Sequence, residues 1–117
     1  MVRAELAEHL MTAGDVGRPP SALMEAFPEL HGNVFAGLPP VWWHSAADAP
    51  SCCASARLGT GEPKRDFVKR VAAFRKWLFS RPETEMVVFG HSTFFKYFQG
   101  IADDRRLKNG ELLTLTF

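Results

Sequence analysis

Residues Met86–Phe98 read Met-Val-Val-Phe-Gly-His-Ser-Thr-Phe-Phe-Lys-Tyr-Phe. The first four are apolar and rich in β-branched side chains, and the run stops at Gly90. A polar pair follows, His91-Ser92, and then aromatics recur at helical spacing. This pattern predicts a strand, a tight turn and a helix N-terminus, with His91 held at the carboxyl end of the strand. In open α/β sheets ligands bind at that corner, where strand ends, loops and helix amides converge. Amides without intrahelical partners, together with the helix dipole, make it an anion site as well. The fold class expected from this segment is α/β.

Upstream, Pro63 suits the first turn of a helix, and Phe67, Val68, Val71, Phe74, Trp77 and Leu78 fall on one helical face. Lys64, Arg65, Lys69, Arg70 and Lys76 lie mainly off that face, and Arg81-Pro82 ends the element. Downstream, Gly100 is placed as a C-cap for a helix over about 92–99. Asn109-Gly110 is a two-residue turn signal leading into a terminal strand over Glu111–Phe117. Nearer the start, Arg3–Met11 is helix-tolerant with a weak apolar pattern (Leu6, Leu10, Met11), and Gly14–Pro20 is a turn-rich loop. A short helix is expected over Ser21–Phe27, capped by Ser21, with Leu23, Met24 and Phe27 toward the core and Pro28 ending it. From Glu29 to Gly61 no regular element is predicted. Trp42-Trp43 is expected to anchor on the body, and residues 44–61, rich in Ala, Ser and Gly, form a long surface loop.

The 117 residues fit one domain spanning 1–117, and 46% hydrophobic with 12% aromatic residues describes a folded chain. A net charge of +1 gives no support for a strongly electrostatic partner, so neither nucleic acid nor an anionic membrane surface is expected. Arg105-Arg106-Leu107-Lys108 is offset by Asp103 and Asp104 and reads as a solvated face. No apolar run reaches the ~20 residues of a membrane span. The first residues carry no secretory apolar core. Cys52 and Cys53 are adjacent, which opposes an unstrained disulfide between them, and a reducing, cytoplasmic location is expected.

Other chemical readings are weaker. Gly90-His91-Ser92-Thr93-Phe94 approaches the Gly-x-Ser-x-Gly elbow of serine hydrolases, with Ser92 as nucleophile. Phe94 stands where the second glycine belongs, and no histidine follows His91 to complete a triad. His31-Gly32 follows Leu30 rather than an arginine and reads as a turn. His9 and His44 lack neighbours at metal-ligand spacing, so no metal and no cofactor are implied. Asp15 and Asp48 read as turn residues, and Gly90-His91-Ser92 also fits a purely structural helix start.

The order of motifs carries a resemblance. Phe74, Trp77 and Leu78 precede Arg81-Pro82-Glu83, then Val87-Val88-Phe89-Gly90-His91-Ser92, an aromatic helix to Gly100, and Leu107-Lys108-Asn109-Gly110-Glu111. This succession resembles the C-terminal half of the histidine phosphatase superfamily, the phosphoglycerate-mutase-like proteins. Leu6-Ala7-Glu8, Asp15-Val16-Gly17, Phe27-Pro28 and Trp42-Trp43 resemble landmarks of one of its branches. The resemblance implies an incomplete three-layer α/β/α domain. It implies that His91 stabilises charge on a transferring phosphoryl group, that the Ser92 amide points at the same phosphate, and that Glu8 protonates the leaving oxygen, with Glu5 as the fallback.

The family's nucleophile lies in Arg-His-Gly, which occurs nowhere in this chain, and its Ser-Pro-x-x-Arg-type segment is absent too. The reading that follows is a truncated or pseudoenzyme phosphatase lineage, with negligible hydrolase activity of its own. Phosphorylated small molecules or phosphoproteins are the implied ligands. A non-catalytic interaction module on the same scaffold is the alternative. Loss of the strands that would flank Met86–Phe89 would leave an open edge available for self-association.

Overall fold

A computed structural model describes residues 1–30, 34–44, 61–100 and 107–116. Three α-helices occur in it: α1 (Pro20–Ala26), α2 (Lys64–Phe79) and α3 (Ser92–Gln99). Single 3-10 turns at Ala4–Leu6 and Ala13–Asp15 precede them.

α2 follows from its apolar spacing. Pro63 caps it, and Phe67, Val71, Phe74 and Leu78 recur every three or four residues and are buried. The expected Val68 is instead 43% exposed, at the margin of the stripe. α3 lays Phe94 and Phe98 against this face. Phe94 is fully buried, with ring centroids 5.5 Å from Phe74 and 6.4 Å from Phe67, both edge-on. Edge-to-face pairs of this kind place the positive rim of one ring against the negative face of the next. Gly100 ends α3 at φ 67, the left-handed conformation that a glycine C-cap adopts without a Cβ clash. The core is therefore an aromatic seam between two helices, with Leu6, Trp77, Val88, Phe95 and Tyr97 packed around it.

α1 departs from expectation. It begins at Pro20, after Pro19 as N-cap, so Ser21 lies inside the first turn and caps nothing. Met24 and Phe27 are 45% and 40% exposed, which leaves half-buried Leu23 as the inward residue of the three. Seven residues make too short a helix to bury a full stripe. Trp42 and Trp43 do anchor. They meet edge-on at 5.7 Å, and the Trp42 indole N–H donates to the Arg18 carbonyl at 2.7 Å.

The α/β expectation is overturned. Among the described residues no strand forms, so the domain is helical and not a three-layer α/β/α sandwich. Met86–Phe89 is extended, as its composition suggests, but makes no backbone hydrogen bond to another described residue. The chain turns at Asn109-Gly110, with the Glu111 N–H donating to the Lys108 carbonyl at 3.0 Å, and continues over 112–116 without a strand ladder to any described residue. The physical reason is that β-branched composition marks a segment able to fit a pleated surface, whereas a strand exists only when a neighbour supplies the ladder. These two segments face a shared groove of about 350 Å³ floored by Phe74, Leu78, Phe95 and Phe98, without approaching closely enough to pair. Residues 31–33, 45–60, 101–106 and 117, which include His31, Asp48, Cys52, Cys53 and the Arg105-Arg106 part of the basic cluster, lie outside the described residues. Among the described residues no helix is long and apolar enough to cross a membrane.

Candidate functional site

The structure brings together two residues 83 positions apart in sequence, Glu8 and His91, with Glu8 Oε2 3.9 Å from His91 Nδ1. Their side chains are 18% and 57% exposed, so a ligand reaches the ring while the carboxylate sits deeper. His91 is the N-cap of α3, extended at φ −106 and ψ 154, and no side chain caps the helix. The Phe95 N–H makes the first return bond, to the His91 carbonyl at 3.0 Å. The amides of the first turn, beginning with half-buried Ser92, therefore open beside the His91 ring. A Cβ at Gly90 would stand 3.1 Å from the Phe95 ring, a tight contact that the ring would have to relieve by moving.

Glu8 is placed by a device that sequence reading did not identify. Arg70, assigned to the solvated side of α2, turns inward with its side chain 19% exposed. It forks onto the Glu62 carboxylate, Nε to Oε1 at 3.0 Å and an Nη to Oε2 at 2.6 Å. Its remaining donors take the carbonyls of Glu5 (2.7 Å), Ala7 (2.6 Å) and Glu8 (3.2 Å). Glu62 is itself buried, and its backbone N–H donates to the Leu10 carbonyl at 2.8 Å. A charged fork of this geometry is stronger and more directional than a neutral bond. The signal in the sequence was positional only: Arg70 lies between Phe67 and Phe74 on the flank of the apolar stripe.

Glu5, the fallback acid, is taken by Arg3 at 2.5 Å and so is not the residue facing His91. His9 stacks on Phe67 at 4.4 Å and its Nε2 lies 2.8 Å from the Glu62 carbonyl, which makes it a packing histidine. Among the described residues no three metal-ligating side chains converge. The serine-hydrolase elbow requires a sheet-borne turn beneath Ser92, and the segment before it is unpaired.

Beside the Glu8–His91 pair runs a groove of about 550 Å³, lined by Leu6, Trp42, Trp77, Arg81, Val88 and His91 among others. Trp77 lies between two guanidiniums, Arg3 at 4.4 Å and Arg81 at 5.7 Å from its ring. Arg81 also donates to Glu83 at 2.9 Å. That bond and the charge behind it hold the Glu83 carboxyl below the usual carboxylate range and push Arg81 further up. Arg3 and Arg81 each carry a carboxylate, and His91, 57% exposed beside Glu8, faces this end of the groove together with the start of α3.

Comparison with protein-family models, with characterised proteins and with solved structures returns no match to this chain.

Proposed function

We propose that this chain binds phosphorylated ligands without turning them over, as a non-catalytic domain of histidine phosphatase lineage. The observation that carries the reading is the Glu8–His91 contact at the uncapped start of α3. The motif order singled out these two residues as leaving-group acid and phosphate-facing histidine, and they lie side by side despite their separation in the chain. His91, when protonated, offers a charged donor, and the first-turn amides of α3 offer aligned neutral ones. Arg70 holds the Glu8 backbone in place from behind. Phosphoryl transfer in the lineage needs a nucleophilic histidine in Arg-His-Gly, and this chain has none. Removing one member of such a unit removes most of its rate.

The test pairs binding with turnover on the full chain. Titration with inorganic phosphate, followed by NMR, is expected to shift the Ser92 and Thr93 amides and the His91 ring, and His91→Ala is expected to abolish the shifts. Hydrolysis of p-nitrophenyl phosphate is expected to match that of His91→Ala. Turnover that disappears with His91 would overturn the non-catalytic reading, and phosphate shifts indifferent to His91→Ala would overturn the site.

A further inference from the structure

Met86–Phe89 presents apolar side chains on both faces. Val88 packs on the aromatic core, while Val87 and Phe89 on the opposite face are 78% and 86% exposed. Among the described residues, none bonds to its backbone on either edge. Natural edges are guarded by an inward charge, a proline or a bulge, and none of these occurs within Met86–Gly90. A net charge of +1 adds no long-range repulsion between copies.

The flanks specify the occupant. Glu85 precedes the apolar run and His91 follows it, three residues to either side of Val88. In an antiparallel pair of identical segments crossing at Val88, Val88 lies opposite its own copy and Val87 lies opposite Phe89 of the second chain. Glu85 then lies opposite His91 of the second chain, twice by symmetry. When His91 is protonated these are opposed charges on directly facing positions, which favour a register, whereas like charges oppose it. His91 can serve both neighbours, since Nδ1 faces Glu8 and the ring is 57% exposed.

We propose that a second copy of this chain completes Met86–His91 by antiparallel strand addition, forming a two-fold dimer in register at Val88. Strand addition draws its affinity from main-chain bonds and its specificity from facing side chains. The interface is isologous and therefore closes at two copies.

Sedimentation equilibrium of the full chain over a concentration series is expected to show a monomer–dimer equilibrium. Val87→Lys and Phe89→Lys each place a charge on the exposed face and are expected to raise the dimer dissociation constant at least about tenfold, or ~1.4 kcal/mol. Both side chains point to solvent in the isolated chain, so the helical circular dichroism is expected to persist. Register is read by mild oxidation in a Cys52→Ser/Cys53→Ser background. Chains carrying Val87→Cys mixed with chains carrying Phe89→Cys are expected to cross-link preferentially to each other. Directly opposed Cβ atoms lie ~4.5–5.5 Å apart and diagonal ones ~7–8 Å, and the latter exceed the reach of a disulfide. A monomer at every concentration overturns the proposal, as does an assembly indifferent to Val87→Lys, or like-with-like cross-linking. The cross-link does not involve His91 or Glu8, so its outcome is independent of the phosphate site.

Discussion

Replacing Arg70 by alanine should destabilise the fold more than removal of any exposed ion pair among the described residues. Arg70 makes five hydrogen bonds, two to Glu62 and three to the carbonyls of Glu5, Ala7 and Glu8. The carbonyls belong to a half-buried segment that water can reach once the guanidinium is gone, so their loss is partly recovered. Glu62 is different, because its side chain is 5% exposed and would remain as a buried charge without its cation. Breaking such a pair from one side costs about 3–5 kcal/mol, against a total stability of about 5–15 kcal/mol for a domain. Urea unfolding followed by far-UV circular dichroism measures the difference. Arg70→Lys should fall between, since an ammonium cannot make the fork. The double change Arg70→Met with Glu62→Leu should recover most of the loss, because no orphan charge remains. A loss below ~1 kcal/mol for Arg70→Ala, the range of exposed ion pairs, would refute the reasoning.

Two further outcomes are expected. Gly17→Ala puts a Cβ 2.5 Å from Trp43 and 2.8 Å from Trp42, so both indoles must move. The cost should be about 1–3 kcal/mol, accompanied by a change in tryptophan emission, and an unchanged spectrum would contradict the packing. Glu83, held low by Arg81, should titrate below an ordinary glutamate in an NMR pH series, and Arg81→Gln should return it to the usual range. Because its folded-state pKa is depressed, the stabilisation of this turn is present above the unfolded value and lost as pH falls through the lowered one.

What could be read in advance followed from local rules. The face of α2 apart from Val68, its start after Pro63, the extent of α3 and the Gly100 cap each depend on a few neighbouring residues, and all are found. The Asn109-Gly110 turn formed for the same reason. The sheet did not, because Val87-Val88-Phe89 states a preference that only a partner strand can satisfy. Met24 and Phe27 were assigned inward by a periodicity too short to identify a face. Of the two proposed site residues, His91 was singled out by the turn before an aromatic helix and Glu8 by motif order, and the structure places them 3.9 Å apart. The Glu62–Arg70 fork was invisible, since pairing a buried carboxylate with one of several helix lysines and arginines is a tertiary decision.

The Leu10–Glu62 tie has a consequence for how the chain tolerates change. Its bonds join residues 52 apart, and everything between them is an excursion leaving and returning to one staple. The entropy of closing such a loop grows only logarithmically, so doubling its length costs about 0.6 kcal/mol. Inserted sequence in that excursion, away from α1 and the Gly17–Trp42–Trp43 packing, should therefore be cheap, whereas a single residue added between Ala7 and Leu10 would slide Glu8 off its clamp. Divergence is expected to accumulate in the excursion, and register to be kept over the few residues that Arg70 grips.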